Sequence, residues 1–143
     1  MNFKKLMETS DSIGLLTLRV VTGAVFIAHG LPKWGWGSDG SLANVAERWA
    51  SNPLIPFPMI SAFLLASTEV FGGALLILGF MTRVVTAMQA FAMLVAVFAV
   101  HWSNGFAGRG GYQWALLLAA AAICLMIEGA GKYSIDRKMS SNR

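Results

Sequence analysis

Apolar residues fall into four long runs along this chain, with polar residues gathered between them. The runs cover about residues 12–31, 59–80, 84–102 and 114–129. About 20 apolar residues in a helix cross a hydrocarbon core ~30 Å thick. The pattern therefore predicts an all-α membrane protein, a bundle of four transmembrane helices. Only Met81-Thr82-Arg83 separate the second run from the third, and so short a link requires antiparallel neighbours. Gly30 and Pro32 stop the first helix, and the glycine-rich stretch SNGFAGRGGYQ leads into the fourth. Asp11-Ser12 stands where it can cap the first span. In the long first connection, residues 33–57, Leu42, Val45, Ala46 and Trp49 share one helical face behind Ser41 as a cap. That predicts a short interfacial helix in the first outer loop. Residues 132–143 read as a polar, basic cytoplasmic tail, and residues 1–143 as a single membrane domain.

Composition agrees with this reading. The chain is 56% hydrophobic and 13% charged, where soluble domains carry roughly 25% charged residues. Its formal charge of +4 comes from basic residues that mostly flank the apolar runs, so it speaks for membrane topology and against a nucleic-acid partner. A lone cysteine, Cys124, lies in the fourth run, which excludes an intrachain disulfide and redox chemistry by a cysteine pair. Lys4 and Lys5 precede the first run, yet its length, its arginine and the lack of a small-residue cleavage site identify a retained span, not a signal peptide.

With four spans both termini share one side. Lys4, Lys5, Arg83, Lys132, Arg137, Lys138 and Arg143 fall there, against Lys33, Arg48 and Arg109 on the other. The positive-inside rule puts both termini and the 81–83 turn in the cytoplasm. Trp34, Trp36, Trp49, Trp102 and Trp114 all map to the opposite, outer side and read as an aromatic belt.

Charges inside the spans are the candidate chemistry. Arg19, Thr22 or Gly23, Phe26, His29 or Gly30, and Lys33 form one stripe of the first helix. Counted from the cytoplasmic ends of their helices, Arg19 is about 10 Å deep and Glu69 about 16 Å deep. Two long side chains span that offset, which predicts a buried Arg19–Glu69 ion pair, since each would otherwise be a lone charge in lipid. Gln89, about 9 Å deep, completes this inner polar layer. Such a pair either fixes helix register alone or lines a cavity for a polar headgroup or a proton. An outer layer gathers His29, Lys33 and His101, with Asn104, Arg109, Tyr112 and Gln113 across the last outer loop. Its histidines either donate hydrogen bonds to a quinone carbonyl or are ordinary interface residues. Glu128 reads as an interfacial partner of Arg83 or Lys132. RVVT occurs at 19–22 and 83–86, but the agreement fades beyond the tetrapeptide and no internal repeat is expected. Two histidines without a third ligand or a metal-binding spacing predict no metal site.

Together these residues carry a resemblance. Arg19, Gly23, Phe26, His29-Gly30 and Lys33, then Glu69 with Gly72-Gly73, then Gly79-Phe80-Met81-Thr82-Arg83 resemble the DoxX family of small four-helix bacterial membrane proteins. The ending Tyr133-Ser134-Ile135-Asp136-Arg137 is similar to that of its inner-membrane members. The resemblance implies a bacterial inner-membrane protein, a quinone-linked subunit of a membrane oxidoreductase, with Arg19, Lys33, Glu69 and Arg83 at matching positions. The chain carries no cofactor fingerprint, so a bound quinone or a redox partner protein would carry any electrons. Lipid and a second copy of the chain are further expected partners. The alternative is a non-enzymatic membrane scaffold or a small-solute transport module.

Overall fold

The computed structural model describes residue 9, residues 12–37 and residues 39–141. Helix α1, Ile13–Gly30, runs on through a 3-10 turn, Leu31–Trp34. Then come the short α2, Leu42–Trp49, and the long α3, Pro58–Leu78. Helix α4, Thr82–Val95, continues as a π-helical segment, Ala96–His101, and a 3-10 turn, Trp102–Asn104. Helix α5 is Gln113–Glu128, and a last helix, α6, is Ile135–Ser141. Ile13–Trp34, Pro58–Leu78 and Thr82–Asn104 are long and apolar enough to cross a membrane. The 16 residues of α5 reach only about 24 Å, and this apolar helix forms the fourth wall.

α1 packs mainly on α3 and α5 mainly on α4, and the α3–α4 and α1–α5 seams close the bundle. Phe26, Met93, Val97, Ala115 and Ala119 fill one part of the interior. Leu15, Leu76, Val85 and Leu125 fill another. Large apolar side chains such as Val21, Phe71, Phe91 and Leu117 point outward, the pattern of a bundle solvated by lipid, where the backbone is satisfied within the helices. Cys124 lies on this outer surface.

Thr9 and the 131–137 segment meet beside the start of α1. The backbone N–H of Gly131 donates to the Thr9 hydroxyl, and Arg137 donates to the Thr9 carbonyl at 3.1 Å. This end also holds the 79–81 turn and is called the terminal end below. The tryptophans stand at or next to helix ends on the opposite side, the tryptophan end. There Trp34 sits edge-on to Phe63 and Phe71, and Trp102 stacks on Tyr112 with ring centroids 5.1 Å apart.

The α1–α3 contact depends on two glycines. A methyl group added to Gly23 would lie 2.7 Å from the Gly73 carbonyl oxygen, and one added to Gly73 would lie 2.7 Å from the Gly23 oxygen. Backbones this close require residues without side chains. Seven residues along α1, Gly30 abuts Glu69 and Val70 in the same way, with 2.8 Å from its added methyl to Glu69 Cβ. These contacts set the register of the two helices. α3 starts eleven residues before Glu69, so it rises about 16 Å above the level where α1 ends. The first connection fills that step: Val45 and Ala46 of α2 pack on Ala62 of α3.

The expected spans agree with these helices to within a few residues, and Ser41 caps α2 as its sequence suggests, accepting from the Asn44 N–H at 3.1 Å. Of the expected cap on α1, Asp11 lies outside the described residues, and Ser12 occupies the N-cap without a side-chain hydrogen bond. The tail differs from its reading as merely polar. It doubles back to form α6, and Asp136 within it is 1% exposed. The π segment of α4 was also not expected. Its wider turn turns the Ala99 carbonyl toward the first connection, where the Asn52 side chain donates to it at 2.5 Å.

Candidate functional site

The expected Arg19–Glu69 ion pair is not formed. Glu69 Oε2 lies 2.5 Å from Lys33 Nζ instead. The register explains the change. Glu69 is level with Gly30, so Arg19, eleven residues earlier, is about 16 Å away along α1. Depths counted from span ends assume helices that stop at a common plane, whereas α3 overshoots α1 at the tryptophan end. Lys33 is carried to Glu69 by the 3-10 turn that follows Gly30.

Lys33 and Glu69 thus merge the two polar layers expected from the sequence. The Glu69 side chain is 5% exposed and that of Lys33 20%. Lys33 Nζ also donates to the His29 carbonyl at 2.8 Å, so two of its three N–H groups are engaged. His29 is exposed, its Nδ1 2.9 Å from the Val25 carbonyl oxygen. His101 is held elsewhere. Its Nδ1 lies 2.9 Å from the Gly110 carbonyl, which also accepts from Asn104 at 3.0 Å, so His101 braces the last loop at the tryptophan end. Arg109 is exposed on that loop.

Gln89 is fully buried and lies beside Gly72, whose added methyl would come 3.2 Å from Gln89 Nε2. Neither its amide oxygen nor its nitrogen has a protein partner. Gly72 is three residues from Glu69 on the same face of α3, so Gln89 stands about one turn below the Lys33–Glu69 pair.

Arg19 occupies a separate site at the terminal end. Its Nη2 donates to the Tyr133 carbonyl, while Nε and Nη1 are buried without a protein partner. Gly79 makes the space: its φ is +66° and an added side chain would collide with the guanidinium. Asp136, whose negative charge acts on Arg19, accepts from the N–H of Met81 at 2.8 Å and of Thr82 at 2.9 Å. It thereby caps α4, where a carboxylate complements the helix dipole. Its own N–H donates to the Gly79 carbonyl at 2.9 Å. Met81, at φ +50°, is held in a left-handed conformation by these bonds. Asp136 belongs to the ending that carries the family resemblance, but its capping role was not expected. Arg83 donates to the Met126 carbonyl at 2.7 Å and to that of Ile127, so it caps the end of α5.

A groove of about 380 Å³ opens on the α3–α4 seam toward the tryptophan end. Leu64, Leu65, Thr68, Phe91, Ala92 and Trp49 are among its lining residues. Thr68 and Leu65 flank the buried face that carries Glu69, and Met88 and Ala92 flank that of Gln89, so the groove and the polar interior share a depth. Among the described residues no group of three or more His, Cys, Asp or Glu is placed to hold a metal ion.

Comparison with known proteins places this geometry in context. A family model described as DoxX matches residues 14–102. The Bacillus subtilis protein named "Putative oxidoreductase CatD" is 32% identical over 83% of this chain and 83% of its own. The Escherichia coli inner membrane protein YphA is 32% identical over 87% of this chain and 89% of its own. The inner membrane protein YqjF of the same organism is 29% identical over 94% and 98%. No solved structure matches.

Proposed function

Because this chain belongs to the DoxX family of bacterial membrane proteins, we propose that it is a quinone-interacting accessory subunit of a membrane oxidoreductase system. The observation that carries the reading is the Lys33–Glu69 pair, an ammonium and a carboxylate held inside a membrane bundle, where ionisable groups mark functional sites. Lys33 keeps one N–H for a ligand carbonyl, and Glu69 fixes its position. The apolar groove at the same depth suits the isoprenoid tail of a quinone, since sites of this kind are mostly apolar with a few placed polar groups. The name of the Bacillus subtilis relative supports an oxidoreductase role, and those of the two Escherichia coli relatives support a place in the inner membrane. With Arg83, Lys132, Arg137 and Lys138 at the terminal end and the tryptophans at the other, both termini face the cytoplasm. Electrons come from a redox partner protein.

Extraction of lipids from protein purified in native membrane discs, followed by mass spectrometry, tests this. A quinone enriched over the bulk membrane is the expected result. Recovery of quinone at no more than its bulk proportion contradicts the reading.

A further inference from the structure

We propose that the interior of the bundle is a water-mediated proton pathway, running from the terminal end past Gln89 to Glu69 and out beside Lys33 to the tryptophan end. It rests on the placement of buried polar groups and is independent of whether a quinone binds.

A buried side-chain polar atom without a protein partner is costly, and the cost is highest in a membrane protein, where bulk water is remote. Arg19 Nε and Nη1, Thr82 Oγ1 and both ends of the Gln89 amide are such atoms, as is Ser67 Oγ on α3, which stands apart from the others. All but Ser67 Oγ fall along one path. Arg19 and Thr82 lie together around Gly79 and Asp136. Thr82, Thr86 and Gln89 follow at spacings of four and three on one buried face of α4; the Thr86 hydroxyl donates to the Thr82 carbonyl at 2.7 Å and keeps only its acceptor side for the column. Gln89 meets Gly72, and one turn of α3 further stands Glu69. From Thr82 to the level of Glu69 the stripe covers about 15 Å, roughly half of a ~30 Å hydrocarbon core. Beyond Glu69 the next polar group is Lys33, whose side chain is one-fifth exposed.

Such a column has the chemistry of a proton relay. Unpaired amide and hydroxyl groups are the sites that hold ordered water in protein interiors, and an amide both donates and accepts, so it continues a chain of hydrogen bonds. Glu69 is the titratable group at its centre, and Lys33 and His29 are the titratable groups beside it. A proton arriving along the column converts the Glu69 carboxylate to the acid. Its departure toward Lys33 and the tryptophan end restores the carboxylate. Water carries the proton between these groups, while Lys33 keeps its three N–H bonds and Gln89 its amide; one proton crosses, and only O–H bonds at Glu69 and at water are made and broken.

The test uses the full chain in liposomes containing a trapped pH dye, with a potassium gradient and valinomycin to set the voltage. Wild-type vesicles are expected to change internal pH faster than protein-free vesicles. Gln89→Leu should bring the rate down to that of protein-free vesicles. Because leucine fills the space of the glutamine side chain and needs no hydrogen-bond partner, this variant should unfold near the wild-type temperature. Glu69→Gln combined with Lys33→Gln, which leaves no lone charge, should also abolish the flux. A wild-type rate equal to that of empty vesicles overturns the proposal, and so does a Gln89→Leu rate equal to wild type.

Discussion

A Lys33→Met variant is expected to lose about 3–5 kcal/mol of stability, the cost of breaking a buried ion pair from one side. Methionine fills the volume of the lysine stem but leaves the Glu69 carboxylate, 5% exposed, without its cation. Glu69→Gln should cost less, because Lys33 is partly exposed and its ammonium can move toward the interface. The double variant Lys33→Met/Glu69→Gln should recover most of the loss, since removing both charges also removes their desolvation penalty. Denaturation of the purified protein in mixed detergent micelles measures all three. The same cycle run on Arg19 and Glu69 should give additive effects, as expected for groups about 16 Å apart. Strong coupling there, with additivity for Lys33 and Glu69, would show that the pairing is wrong.

The second large effect is expected at the tail. Asp136→Ala leaves the N–H groups of Met81 and Thr82 unpaired in a buried turn and withdraws the negative charge that faces Arg19. Lost caps cost typically ~1 kcal/mol, and each buried donor left unsatisfied about 1–3 kcal/mol. A total near 3 kcal/mol follows, with protease sensitivity appearing first in residues 132–141. Asp136→Asn keeps one acceptor and should fall between the two. If Asp136→Ala unfolds at the wild-type temperature, the tail is not the clamp described above.

The bundle itself was legible in the sequence because lipid imposes a simple rule: apolar runs of a certain length, separated by polar turns, must be helices that satisfy their own backbone. Ser41 and the face of Leu42, Val45, Ala46 and Trp49 likewise announced α2. Gly23, Gly72 and Gly73 carried no local sign of the residues they meet, Gly23 with Gly73 and Gly72 with Gln89. What failed was pairing by depth. Nothing in residues 13–30 or 58–78 reveals that the two helices end at different heights. That offset follows from Gly23 meeting Gly73 and Gly30 meeting Glu69, contacts that exist only once the helices have docked. It exchanged Arg19 for Lys33 as the partner of Glu69. The role of Asp136 was hidden for a related reason, since a cap supplied from 54 residues away in sequence leaves no local pattern. Arg19 keeps its place as a buried charge, but it fastens the tail to the bundle and is not part of the Glu69 site.

The ligand site proposed above is built on Lys33 and Glu69. Titrating a short-chain quinone into the purified protein and following tryptophan fluorescence tests it most directly, because Trp34 adjoins Lys33 in the same 3-10 turn. The wild type should show saturable quenching. A Lys33→Gln/Glu69→Gln variant, folded but without the charges, should bind about tenfold more weakly, the loss of one hydrogen bond from a charged donor. Equal quenching curves for the two proteins, or quenching that rises with quinone without saturating, would contradict the claim.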